Sequence, residues 1–166
     1  MTTPEILVLG LGNIIMRDEG LGVRACERLT RRYRLPDYVN VLDGGTLGLD
    51  LLPYLDGVTD LLIIDAVSAG APPGSLVRLE NEQIPQALAL KMSMHQVGLQ
   101  ELLAVMALRG QTPPRVVLWG MEPLILEPGL DLSEPVLANL DTLVASVVAE
   151  LRSWGIPVSD PPLKAS

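Results

Sequence analysis

The sequence contains no phenylalanine, one cysteine and one histidine among its 166 residues, and its aromatic content is 3%. Cys26 alone allows no internal disulfide and no cysteine-based zinc site. With so few rings, a core must be built from Leu, Val, Ile, Ala and Met. No charge-free apolar stretch reaches the roughly 18 residues of a membrane span. The opening MTTPEILVLG has no basic segment ahead of its short apolar run, so no secretory signal is expected. Cations are scarce: 12 Lys and Arg against 20 Asp and Glu leave a net charge of −8. That balance argues against the basic face on which nucleic acid releases its counterions, and against an anionic membrane surface. A soluble, cytoplasmic protein is expected, and a monomer suffices.

Apolar residues make up 48% and charged residues 19%, which excludes disorder and supports a real core. The length fits one domain. Residues 6–9, 39–42, 61–64 and 116–119 are short continuous apolar runs, each ended by Gly or Asp. Continuous runs are expected of strands in a parallel sheet covered on both faces. Between them lie segments with helical spacing. From 19 to 33, Leu21, Ala25, Leu29 and Tyr33 share one face, while Arg24, Arg28, Arg31 and Arg32 take the other. A short helix is expected over 47–55 and another over 95–109, closed by Gly110. A long helix begins after Ser133 as N-cap, with Pro135 in its first turn, and is stopped by Gly155 and Pro157. Residues 75–80 read as an edge strand. The predicted fold is a single α/β domain over 1–156, a three-layer sandwich with a mostly parallel twisted sheet between helices, followed by a loosely held tail at 157–166.

Ligands of open parallel sheets bind outside the carboxyl ends of the strands. There the sequence places Gly10-Leu11-Gly12-Asn13 and Asp18-Glu19 after the first strand, Asp43-Gly44-Gly45-Thr46 after the second and Asp65 after the third. Ser93-Met94-His95-Gln96 opens the third helix. A dinucleotide fingerprint needs a third glycine or a small residue at position 15, which is Ile, and an acid about 20 residues further on; Asp43 lies well beyond that. Glu19, Asp65 and His95 instead offer two carboxylates and an imidazole from three loops, a donor set suited to zinc, nickel or a similar ion at an open site. Ser93 and Gln96 match a capping box that would hold His95 in a first helical turn, where the helix dipole keeps the ring neutral. Bland readings stand beside these. Asp65 and Glu19 can satisfy backbone N–H groups, Asp43 can orient a tight turn with Thr46 as a cap, and Cys26 reads as a packed, inert thiol.

Taken together these segments resemble the maturation endopeptidases of nickel–iron hydrogenases. The resemblance rests on G-x-G-N at Gly10–Asn13, D-E at Asp18-Glu19 before a glycine-containing helix, D-G-G-T-x-G at Asp43–Gly48, Asp65, and S-x-H-Q-x-G at Ser93–Gly98. It spans roughly residues 5–154. It implies a peptidase that removes a short C-terminal extension from the precursor of the nickel–iron hydrogenase large subunit once nickel has been inserted. It implies Glu19, Asp65 and His95 as metal ligands and catalytic residues. The metal would be nickel carried by the substrate, with zinc or cadmium able to stand in for it in vitro. A carboxylate, Asp43 or one of the ligands, would serve as general base, and Gly44, Gly45 and Thr46 would contact substrate. Two other readings stay open: a non-catalytic nickel carrier using the same ligands, and a dinucleotide-binding oxidoreductase using Gly10 and Gly12.

Overall fold

The computed structural model describes residues 5–90 and 94–161, with the side chains of 88–90 and 94–97 outside that description. Five strands form one sheet: β1 (Ile6–Leu11), β2 (Val39–Gly45), β3 (Asp60–Ala66), β4 (Leu76–Glu80) and β5 (Arg115–Met121). Their order is β2-β1-β3-β5-β4. β1 pairs in parallel with β2 and β3, and β3 pairs in parallel with β5. β4 closes the edge antiparallel to β5. The expected strands are all present; the four parallel ones are each a little longer than their apolar cores, and the edge strand starts one residue later than expected, at Leu76.

The apolar runs are continuous because each strand feeds two cores. Side chains alternate across a pleated strand. Ile6 and Val8 of β1, with Leu62, Ile64 and Ala66 of β3, pack against α1 (Leu21–Arg32) and α4 (Glu134–Ser153). Leu7, Leu9 and Leu11, with Leu61 and Ile63, pack against a 3₁₀ helix over Gly48–Leu55 and against Ile84 of α2 (Gln83–Leu90) and Leu99, Leu102 and Met106 of α3 (Met94–Leu108). The result is a three-layer α/β domain. Among the described residues, no helix is long and apolar enough to cross a membrane.

Several local expectations change. The first helix is α-helical only from Leu21; Arg17–Gly20 form a separate 3₁₀ turn. The second helix is 3₁₀ throughout and carries Pro53, which cannot donate the N–H an α-helix would use there. α2 is an addition the sequence reading missed. Its Pro85 suggests a break, but it sits in the first turn, where a missing N–H costs nothing. The segment expected to hang loosely from 157 is instead bound as far as 159. Ile156 and Val158 are buried, Ser159 and Arg34 exchange both backbone hydrogen bonds, and Arg152 donates to the Val158 carbonyl.

Candidate functional site

β1 is the strand from which the chain turns one way to β2 and, after recrossing, the other way to β3. Crevices form at the carboxyl ends where strand order reverses in this manner. Close backbone packing shapes the crevice here. A Cβ at Gly22, in the first turn of α1, would run into the carbonyl oxygens of Leu11 and Ile64. Glycine therefore lets α1 start directly on the ends of β1 and β3. A Cβ at Gly12, which has φ of +123°, would collide with the Glu19 carbonyl. The 3₁₀ turn carrying Glu19 is thus folded back over Gly12 and lies against β3. The backbone approach that a pyrophosphate would need at Gly12 is filled by the chain itself, which removes the basis for a dinucleotide site.

Glu19 is half-buried on this turn. Asp65 is 1% exposed at the end of β3, and its Oδ1 accepts a 2.8 Å hydrogen bond from the Ala66 N–H. The Gly120 of β5 stands opposite Asp65 in register, and a side chain there would strike the Asp65 carbonyl. Asp43 lies opposite Gly10, whose register partner on its other side is Ile64. It is exposed, and its Oδ1 accepts from the Gly45 N–H at 3.0 Å. That bond closes an Asx turn, so the orienting role is present. Gly44 is buried under Leu9 and Leu11, Gly45 takes φ of +48° and binds the Gly12 N–H through its carbonyl, and Thr46 is exposed. Thr46 does not cap the following helix, whose N-cap position is Leu47.

Gly48 and Gly98 touch, with a Cβ at either lying 3.3–3.5 Å from the other's Cα. This contact joins the D-G-G-T-x-G loop to the first turns of α3, which begins at Met94. His95 is the second residue of that helix, but its side chain, like Ser93 and the capping box expected there, lies outside the described residues. Among the described residues, no three His, Cys, Asp or Glu side chains gather closely enough to hold a metal ion. Glu19 and Asp65 are brought to the carboxyl ends of the central strands, and Asp43 stands at the end of β2, with β1 between it and Asp65. Cys26 is buried against Gly10, and burial, followed by the charges of Asp43 and Glu27, pushes its thiol up to about 12. A thiol held in that form is not a nucleophile.

The sequence reading missed the residue that fixes the Glu19 turn. Asp18 is fully buried. Its Oδ2 accepts from the N–H groups of Leu124 and Ile125, both at 2.9 Å, and from the Ser133 hydroxyl at 2.7 Å. Its Oδ1 accepts from the Ser133 N–H at 2.8 Å. Burial by itself would raise the Asp18 carboxyl, but these donors hold it below its ordinary value. Ser133 stands at the N-cap of α4 as expected, yet its hydroxyl serves Asp18 rather than the helix. Glu122 does a parallel job nearby: it accepts from the N–H groups of Ala69 and Gly70 and so ties the loop after β3 to the end of β5. The signal for Asp18 was its place beside Glu19; nothing in local spacing linked it to a serine 115 residues away.

Comparison with known proteins bears on what this end of the sheet does. The model of a family described as HycI, hydrogenase maturation protease, matches residues 23–150. The hydrogenase expression/formation protein HupD of Rhodobacter capsulatus is 45% identical over 159 residues, which is 94% of this chain and 76% of that protein. The hydrogenase 2 maturation protease of Escherichia coli K12 is 42% identical over 153 residues, 92% of this chain and 93% of its own. The solved structure of the hydrogenase maturating endopeptidase HybD from E. coli matches with a TM-score of 0.90 at 39% identity, covering 94% of this chain and 97% of that one. A match of this extent in both sequence and fold is that of a hydrolase, and the chain belongs to the hydrogenase maturation protease family.

Proposed function

We propose that this protein is the endopeptidase that removes the C-terminal extension from a nickel–iron hydrogenase large-subunit precursor after nickel has been inserted. The observation that carries the reading is membership of the maturation protease family across residues 23–150, on a fold that brings Glu19 and Asp65 to the carboxyl ends of the central strands. Nickel is here part of the substrate. The donor set suits it: the carboxylates of Glu19 and Asp65, with the imidazole of His95 as the third ligand that the family resemblance implies. Once docked, such an ion polarises a scissile carbonyl or lowers the pKa of an attacking water.

The chain's own residues supply position and proton transfer. Glu19, Asp65 and His95 orient the loaded substrate, and zinc or cadmium can take nickel's place in vitro. Asp43 is exposed on the loop beside them and serves as general base, while Gly44, Gly45 and Thr46 offer backbone and hydroxyl groups to the extended peptide. With Cys26 buried and no second histidine in the sequence, a Ser-His-Asp or Cys-His nucleophile is excluded from the scheme. The protein works as a monomer in the cytoplasm, where a cofactor-loaded precursor is assembled.

The test is the intact mass of a nickel-loaded large-subunit precursor before and after incubation with the protein. Loss of a short C-terminal peptide, absent for nickel-free precursor, is the expected result. Loss from both forms discards nickel as the recognition signal, and an unchanged mass with a competent precursor overturns the reading.

A further inference from the structure

The loops after β1 and β5 are knitted into one surface. Met16 bridges Gly129, the Gly129 N–H donates to the Ile15 carbonyl, and the Arg17 and Asp18 N–H groups donate to Gly129 and Ile125. Arg17 has φ of +49°, a strained conformation held by these bonds and by its Nε, which donates to the Asp131 carbonyl. On this scaffold Ile14, Ile15, Leu124, Leu126 and Leu130 are between 38% and 64% exposed, and they make up half of all the large exposed hydrophobics among the described residues. Exposed apolar groups gathered in one place mark a binding surface more often than singly scattered ones do. Their polar border is acidic. Of the charged side chains in residues 12–20 and 122–131, Glu127 and Asp131 are exposed and Glu19 is half-buried, while Asp18 and Glu122 are buried beneath the face. The cations at this border, Arg17 and Arg24, are half-buried and donate to the backbone carbonyls of Asp131 and Leu130.

We infer that this apolar, anionic face docks an apolar, cationic surface of the precursor, and that the Asp18 carboxylate pins the docking face rigidly to the turn bearing Glu19. The inference rests on the peptidase reading and adds to it the part of the enzyme that holds the partner. Charge complementarity decides the occupant: an acidic partner surface, or a second copy of this −8 chain, would be repelled. The pinning decides the consequence. Because Asp18 bonds both the 124–125 backbone and Ser133, the distance from docking face to Glu19 is set before substrate arrives.

The experiment measures the precursor's Kd, and the KM and kcat for its cleavage, at 50 and 500 mM NaCl. Three variants are compared with wild type, each checked for an unchanged melting temperature. Ile15→Ser combined with Leu130→Ser raises Kd and KM by about tenfold or more and leaves kcat within about twofold. Glu127→Lys combined with Asp131→Lys weakens binding at low salt and flattens the salt dependence seen in wild type. Leu108→Ser, at the far end of α3 and 88% exposed, changes nothing. Unchanged Kd in both double variants overturns the docking face while leaving the peptidase reading intact. A wild-type chain that binds the precursor without cutting it overturns the peptidase reading and leaves the Kd comparison to decide the face. One that neither binds nor cuts overturns both.

Discussion

Two buried carboxylates organise opposite ends of α4, and they do so with different donors. Asp18, beside the N-terminus of the helix, is satisfied by three backbone N–H groups and one hydroxyl. Glu150, in its last turn and 9% exposed, is satisfied by side chains. Arg78 of β4 donates from Nε at 2.6 Å, and Trp119 of β5 and Trp154 donate their indole N–H groups at 3.0 and 3.1 Å. Arg115 stacks over Trp154 with its guanidinium 4.9 Å from the ring centroid. The two sites are separated by about 25 Å along the helix, at 1.5 Å per residue. A carboxylate bound to main chain fixes the path of loops, whereas one bound to side chains clamps elements that are already regular. Loop placement matters at the end of the sheet that carries Glu19, and clamping matters at the edge strand β4, which pairs with β5 alone.

The sharpest way to break the comparison is to neutralise each carboxylate without changing its size. Asp18→Asn turns an amide toward N–H donors, leaving buried groups unpaired at a cost of about 2–4 kcal/mol. Because the Glu19 turn then loses its anchor, precursor cleavage falls by about 100-fold or more, measured by intact mass, in protein still folded by circular dichroism. Glu150→Gln costs less, about 1–3 kcal/mol in denaturant unfolding, because Arg78 is 37% exposed and water replaces part of the ion pair. Its kcat stays within about twofold of wild type. Equal losses of cleavage in the two variants would erase the distinction.

Acid titration sharpens it further. Burial opposes ionisation at both groups, but their hydrogen bonds hold Asp18 below its ordinary 3.8 and Glu150, with the Arg78 charge helping, below its ordinary 4.5. As pH falls, each unfolded carboxyl takes up its proton before the folded one does, so protonation favours the unfolded chain. The stability each contributes is complete above those ordinary values and is lost as pH falls through the lowered folded ones. Unfolding free energy measured downward from pH 5 therefore declines, and Asp18→Asn and Glu150→Gln each flatten the decline.

The smallest effect on the fold belongs to Asp43→Asn. An asparagine oxygen still accepts the Gly45 N–H, so stability moves by less than about 0.5 kcal/mol. Under the proposed mechanism, in which Asp43 accepts the proton, cleavage by contrast falls by about 100-fold or more while the turn survives. Normal cleavage by this variant would reduce Asp43 to a residue of the turn.

The layered fold was legible because parallel strands buried on both faces need continuous apolar runs, and Ile6–Leu9 and Leu61–Ile64 are such runs within β1 and β3. The edge strand β4 was legible from its loose alternation, and the position of Asp65 near the end of β3 from the close of its apolar run; the fold-back that carries Glu19 over Gly12 was not. α2 was hidden behind Pro85, whose meaning depends on which turn of a helix it occupies. The form of the second helix was hidden because 3₁₀ and α segments share composition over so short a length. Ser133 shows the limit well: sequence identifies an N-cap residue, but only the fold reveals that its hydroxyl is committed elsewhere.

By itself, then, the sequence determined the strands, the main helices, the inert thiol and the gathering of acids after β1, β2 and β3. Each of these is written in neighbouring residues and their period. Tertiary structure alone decided that Gly22 seats α1 on two strand ends, that Gly48 meets Gly98, and that Asp18 answers to Ser133 and Glu150 to both tryptophans. These contacts join residues far apart in the chain. The physical reason is that a buried polar group must find its partners wherever the packing puts them, and no local pattern records that choice.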